Sequence, residues 1–136
     1  MNFEKAIELL QRLIATPSVS RAEGDAADIV EAALASLGFA THRKCNNVWA
    51  EAHQHNSALP TILLDAHIDT VKPNASWQRN PYEPTIEGGR LYGLGSNDTG
   101  GSLVAMIAAF CRLARREQPY NLILLGILGS ECGPHG

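Results

Sequence analysis

Two short apolar runs, Thr61-Ile62-Leu63-Leu64 and Asn121 to Leu128, do most to limit the folds open to this chain. Neither alternates polar with apolar residues, which is the pattern of strands buried on both faces. Such strands need covering helices, and helical periodicity surrounds them. Phe3, Ile7, Leu10 and Ile14 recur at helical spacing, so residues 3 to 15 read as an amphipathic helix stopped before Pro17. A second helix is expected from about Glu23 to Leu37, with Ala26, Val30, Ala33, Leu34 and Leu37 inward and Gly38 ending it. A third runs from Ser102 to Arg116, with Leu103, Ile107, Phe110 and Ala114 inward. Strands alternating with helices predict an α/β fold, a three-layer sandwich with a largely parallel central sheet.

Shorter elements fill the gaps. Phe39 to Arg43 and Val48 to Ala52 read as strands turned at Asn46-Asn47. Residues 72 to 84, with Pro73, Pro81 and Pro84, read as a loop. Thr85-Ile86-Glu87, Gly88-Gly89 and Arg90-Leu91-Tyr92 form a tight hairpin pattern. The 136 residues, 45% of them hydrophobic, suit one domain with a real core. No closing helix follows the last strand, so the chain is expected to be the front part of a larger α/β domain, incomplete at its C-terminus.

Charge and targeting signals narrow the partners. A net charge of −3 with interspersed signs gives no footprint for nucleic acid or an anionic membrane. No run approaches the roughly 20 apolar residues of a membrane helix, and no secretory segment opens the chain. Cys45, Cys111 and Cys132 form no CxxC pattern. A reduced, cytoplasmic setting is therefore expected.

Three places carry chemistry. Asp65-Ala66-His67-Ile68-Asp69 ends the first apolar run, and Gly93-Leu94-Gly95-Ser96-Asn97-Asp98-Thr99-Gly100-Gly101 opens the third helix. Glu131 follows the last run. Functional groups of open α/β sheets gather beyond the carboxyl ends of strands, and His, Asp and Glu are donors that suit a divalent ion such as zinc. Taken alone, His67 and Asp69 read first as a strand-end hydrogen bond, Asp98 or Asn97 as a helix cap, and Glu131 as a loop carboxylate. A metal ligand with its orienting partner, a carboxylate bridging two cations, and a general base are the alternatives.

Other chemistries fit poorly. A dinucleotide fingerprint would need glycine where Asp98 stands, and no Gly-Lys-Ser/Thr occurs. Gly129-Ser130 is no nucleophile elbow, because Leu128 precedes it. His42, His53, His55 and His135 read as solvated or peripheral.

Taken together and in this order, the motifs resemble the two-zinc amidohydrolases and peptidases of the acetylornithine deacetylase and succinyl-diaminopimelate desuccinylase group, relatives of carboxypeptidase G and aminoacylase. The resemblance begins at Pro17-Ser18-Val19-Ser20 and is carried by Leu64-Asp65-Ala66-His67-Ile68-Asp69-Thr70-Val71 and by Leu91 to Gly101. It implies that His67 binds one metal, that Asp98 bridges two, that Asp69 holds the His67 imidazole, and that the Asp98–Thr99 peptide is cis. It implies a cofactor of two zinc ions per complete site, with cobalt possible, and hydrolysis of an N-acyl amino acid, N-acetylornithine leading. Complete relatives are often homodimers.

The third motif departs from the family's adjacent glutamates. Aligned as Glu131-Cys132 it keeps the base and puts a thiol in a ligand's place, whereas Ser130-Glu131 keeps the ligand and loses the base. The first alignment is favoured. The family's later carboxylate, later histidine and lid or dimerisation domain find no counterpart here, so the isolated chain is expected to be inactive or nearly so. A short form that binds metal or a partner, and a truncated or frameshifted remnant, are the rival readings.

Overall fold

The computed structural model of the chain describes residues 1–19 and 24–127. Helix α1, Phe3–Ile14, starts where the Asn2 side chain accepts the Lys5 N–H at 2.9 Å, satisfying one free amide of the first turn. It buries Ala6, Leu9, Leu10, Leu13 and Ile14. That stripe keeps Leu10 and Ile14 of the expected one but is rotated toward Ala6, Leu9 and Leu13, leaving Ile7 half-buried and Phe3 79% exposed. Helix α2, Gly24–Ser36, buries Ala26, Ala27, Val30 and Leu34, and helix α3, Gly101–Leu113, buries Leu103, Val104, Ile107, Phe110 and Cys111.

Strands β1, Thr41–Lys44, β2, Asn47–Glu51, β3, Thr61–His67, and β6, Asn121–Ile127, form one sheet in the order β1-β2-β6-β3. Strands β4, Thr85–Glu87, and β5, Arg90–Tyr92, make the expected separate hairpin on the two glycines Gly88 and Gly89. The α/β class holds, but the sheet departs from the largely parallel arrangement. Among the described strands only β3 and β6 pair in parallel, through the α3 crossover, with His67 opposite Ile127. β1 and β2 are antiparallel, as a two-residue connection at Cys45-Asn46 requires. β2 also meets β6 antiparallel, Ala50 opposite Leu124.

The unbroken apolar runs prove to be covered unequally. In β6, Leu122 and Leu124 are buried against the helices while Ile123 and Leu125 on the other face are half-buried. In β3, Leu63 remains 50% exposed. Among the described residues all three helices pack on a single face of the sheet, sharing one core with Val48, Ala50, Ala66, Leu122 and Leu124. No helix among them is long and apolar enough to cross a membrane. Gly126 in β6 has a packing reason: a Cβ there would lie 2.8 Å from Ile68 Cδ1.

Phe110 is the largest fully buried side chain and meets Phe39 with ring centroids 4.8 Å apart. Phe110→Ala is expected to lower the unfolding free energy by about 3–5 kcal/mol through lost burial and the cavity left behind. Ile62→Ala, at a position 42% exposed, is expected to cost about 1 kcal/mol or less. Urea midpoints check both, and equal losses at the two positions would contradict this core.

Candidate metal centre

His67 is the last residue of β3, at its carboxyl end. Beyond it the chain stays in register with its neighbours: Ile68 N–H donates to Ile127 O at 2.9 Å, and Thr70 N–H donates to Ser18 O at 2.8 Å. The His67 ring is oriented by its own strand end. Nδ1 lies 3.1 Å from the Asp69 carbonyl and 3.4 Å from Asp69 Oδ1. Both are acceptors, so Nδ1 carries the hydrogen and the Nε2 lone pair is left facing outward. Nε2 stands 3.1 Å from Asp98 Oδ1.

That contact sets a lone pair against a carboxylate, and only a shared cation or proton makes it favourable. Two ligand atoms each about 2.0–2.2 Å from one zinc ion are themselves about 3–3.5 Å apart at the angles zinc adopts. The His67–Asp98 spacing fits that requirement.

Asp98 reaches this position from a wide turn, Ser96–Gly100, closed by Gly100 N–H donating to Gly95 O at 2.9 Å. The helix-cap alternative is not what the structure shows. Gly100 occupies the N-cap of α3, with no side-chain cap. Asp98 instead has extended angles (φ −118°, ψ 95°), and its carboxylate points outward, 83% exposed. The Asp98–Thr99 peptide is cis, as the resemblance implies. Thr99 Oγ1 donates to His67 O at 2.5 Å, tying the turn to the end of β3.

Glycine is required in this turn for two separate reasons. Gly95 sits at φ 79°, and a Cβ there would lie 2.8 Å from Thr70 Cγ2. At Gly100 a Cβ would meet Gly95 O at 2.7 Å and Leu10 Cδ1 at 2.6 Å, so α1 packs directly on the turn.

The remaining histidines stay apart. Exposed His42 stacks on Trp49 at 5.4 Å, and His53 Nε2 contacts Arg116 O at 3.1 Å. Among the described residues no group of three or more His, Cys, Asp or Glu side chains is placed to hold a metal ion. What they bring together is the pair His67 and Asp98, 3.1 Å apart. Glu131, Cys132 and His135 lie outside the described residues. Residue-by-residue reading overlooked two polar groups, the Ser18 and Thr99 hydroxyls, although both lie within the motifs that carry the resemblance.

The sequence profile of the peptidase family M20/M25/M40 matches residues 63–136, which include His67, Asp69 and Asp98. The chain belongs to that family. Curated M20 relatives include proteins named succinyl-diaminopimelate desuccinylase from Rhizorhabdus wittichii, 36% identical over 94% of this chain, and Maricaulis maris, 34% identical over 96%. The chain spans about a third of these relatives, 35% of each. An M20 family metallo-carboxypeptidase from Sulfolobus solfataricus superposes with a TM-score of 0.75 at 27% identity, covering 94% of this chain and 31% of that one. Human carnosine dipeptidase 1 has the same fold, with a TM-score of 0.75 at 19% identity over 97% of this chain and 33% of its own.

Gly88 and Gly95 both have positive φ, but a Cβ at Gly88 would meet open space. Gly88→Ala is expected to cost about 1 kcal/mol from backbone conformation alone, and Gly95→Ala about 1–2 kcal/mol more. Thr70→Ser removes the contacting methyl, so it is expected to recover part of that excess in a double-mutant cycle read by thermal unfolding. Strict additivity would show that the turn does not press on Thr70.

Proposed function

We propose that this chain is the first portion of the catalytic domain of an M20 amidohydrolase that hydrolyses the amide bond of an N-acyl amino acid. The observation that carries the reading is the 3.1 Å approach of His67 Nε2 to Asp98 Oδ1, with Nδ1 already committed to Asp69. His67 and Asp98 would hold zinc, and Asp98, whose carboxylate is open to solvent, would serve the second ion of a complete two-zinc site. Cobalt suits the same donors. Zinc in such a site supplies Lewis acidity and a nucleophilic water near neutral pH.

The chain's own residues have separate tasks. Asp69 holds the His67 ring in one tautomer and orientation. Glu131 is assigned as the general base that takes a proton from the attacking water and returns it to the leaving amine. If Ser130-Glu131 is the true alignment, Glu131 is a ligand instead. Catalytic zinc sites have three protein ligands, and the described pair falls short of that. The isolated chain is accordingly expected to bind zinc weakly and to turn over little or no substrate.

On substrate, the names of the curated relatives favour a succinylated diamino acid over N-acetylornithine, the leading substrate from resemblance alone. A cytoplasmic, homodimeric complete enzyme accords with this reading.

Calorimetry with a chelator control tests the metal site. His67→Ala and Asp98→Ala are each expected to weaken zinc binding at least tenfold, and unchanged affinity in both would overturn the site. For the reaction, this chain can be joined to the distal two-thirds of the Rhizorhabdus wittichii relative. That chimera is expected to hydrolyse N-succinyl-diaminopimelate faster than N-acetylornithine. Within it, Glu131→Ala should abolish turnover while sparing zinc, and loss of zinc instead would assign Glu131 as a ligand.

A further inference from the structure

The geometry points to Ser18 as a positioning residue for the His67–Asp69 pair, an assignment that rests on the metal-site reading above. Ser18 is the one polar residue buried among the described residues, 3% exposed. It lines a small cavity of mixed character, with Leu10, Ile14 and Ile68 on one part of the wall and Thr70, Asp98 and Thr99 on another. A hydroxyl there has lost water and needs a partner. Its partner is the carbonyl of Ile68, 50 residues away in sequence, which accepts Ser18 Oγ–H at 3.1 Å.

The same residue makes a second bond to the same segment. Ser18 O accepts Thr70 N–H at 2.8 Å, and Val19 pairs with Thr70 as an isolated parallel bridge. One serine therefore grips the chain on both sides of Asp69, at the carbonyl before it and at the amide after it. The Asp69 carbonyl is the group that receives His67 Nδ1–H. β3 itself ends at His67, so ladder pairing alone does not orient the Asp69 peptide. On the other side, Ile68 N–H donates to Ile127 O. Residues 68–70 are thus held from both edges, by β6 and by Ser18.

A hydroxyl that only stabilised the fold would leave the His67 ring indifferent to its loss. A positioning hydroxyl would not. Without it, the buried Ile68 carbonyl loses its partner and the Ile68–Asp69 peptide is released on one side, so that Asp69, still held through Thr70 N–H, shifts its two acceptors relative to His67 Nδ1.

The test uses long-range proton–nitrogen NMR of the metal-free chain at pH 8, with zinc calorimetry and thermal melts on the same samples. In the wild type, His67 is expected to show a single tautomer with Nδ1 protonated. Ser18→Ala should give a mixture of tautomers and about tenfold weaker zinc binding. Ser18→Thr, which keeps the hydroxyl, should stay within threefold of wild type. Leu124→Ala controls for lost stability and should leave the His67 signals unchanged. If Ser18→Ala fails to fold, Ser18→Cys provides a weaker donor of similar size for the same comparison. Wild-type His67 signals and affinity in the folded Ser18 variant would overturn the assignment. Unchanged zinc affinity in both His67→Ala and Asp98→Ala would instead sink the metal-site reading, and the tautomer comparison would still decide the role of Ser18.

Discussion

An imidazole has two nitrogens, and commitment of one decides what the other can do. In this chain Nδ1 of His67 is committed to the Asp69 carbonyl, two residues along the same backbone. In the neutral ring Nε2 then carries the lone pair, and it is aimed at another acceptor, Asp98 Oδ1. Everything else near the site serves to keep those two groups facing each other. Their meeting makes little sense as a neutral contact and good sense as two corners of a cation's coordination shell.

Backbone packing delivers the pair. The parallel ladder of β3 with β6 sets where His67 ends, and Gly126 in β6 leaves room for Ile68 to lie against it. Asp98 is set by the opposite layer, because α1 presses Leu10 onto the turn at Gly100. Thr99 then joins the two parts through the His67 carbonyl. A larger residue at Gly100 or Gly126 acts on the site without touching either ligand.

Much of this was legible in the sequence, and the misses have physical causes. The three helices were visible because apolar residues at a 3.6 spacing have one dominant explanation. The Gly88-Gly89 hairpin was visible because few residues accept two successive positive φ angles. Strand direction was not visible. An apolar run such as Thr61 to Leu64 does not record which neighbour it pairs with, and the short Cys45-Asn46 turn fixes β2 only against β1, not against β6, which it also meets antiparallel. Asp98 read alone as a helix cap because Asp before a helix usually is one, and only the geometry of the turn shows Gly100 in that place. Ser18 left no composition signal, because its partner lies 50 residues away and burial is a property of the folded chain.

The two aspartates of the site differ in a way that follows from these constraints. The Asp69 side chain is 25% exposed and lies beside the ring it serves, whereas that of Asp98 is 83% exposed. An exposed carboxylate normally samples many rotamers, and freezing it for a ligand costs entropy. Here the restraint lies in the backbone: the Gly100–Gly95 bond closes the turn, and the Thr99 hydroxyl anchors it to β3. In the proposed two-zinc site, Asp98 would thus stay open to both cations without losing its alignment to His67. A buried carboxylate would be aligned as well, but burial would penalise its charge and leave no room for a second ion. Fixing the peptide while leaving the carboxylate open to solvent meets both demands, and among the described residues glycines and the Thr99 hydroxyl do the fixing.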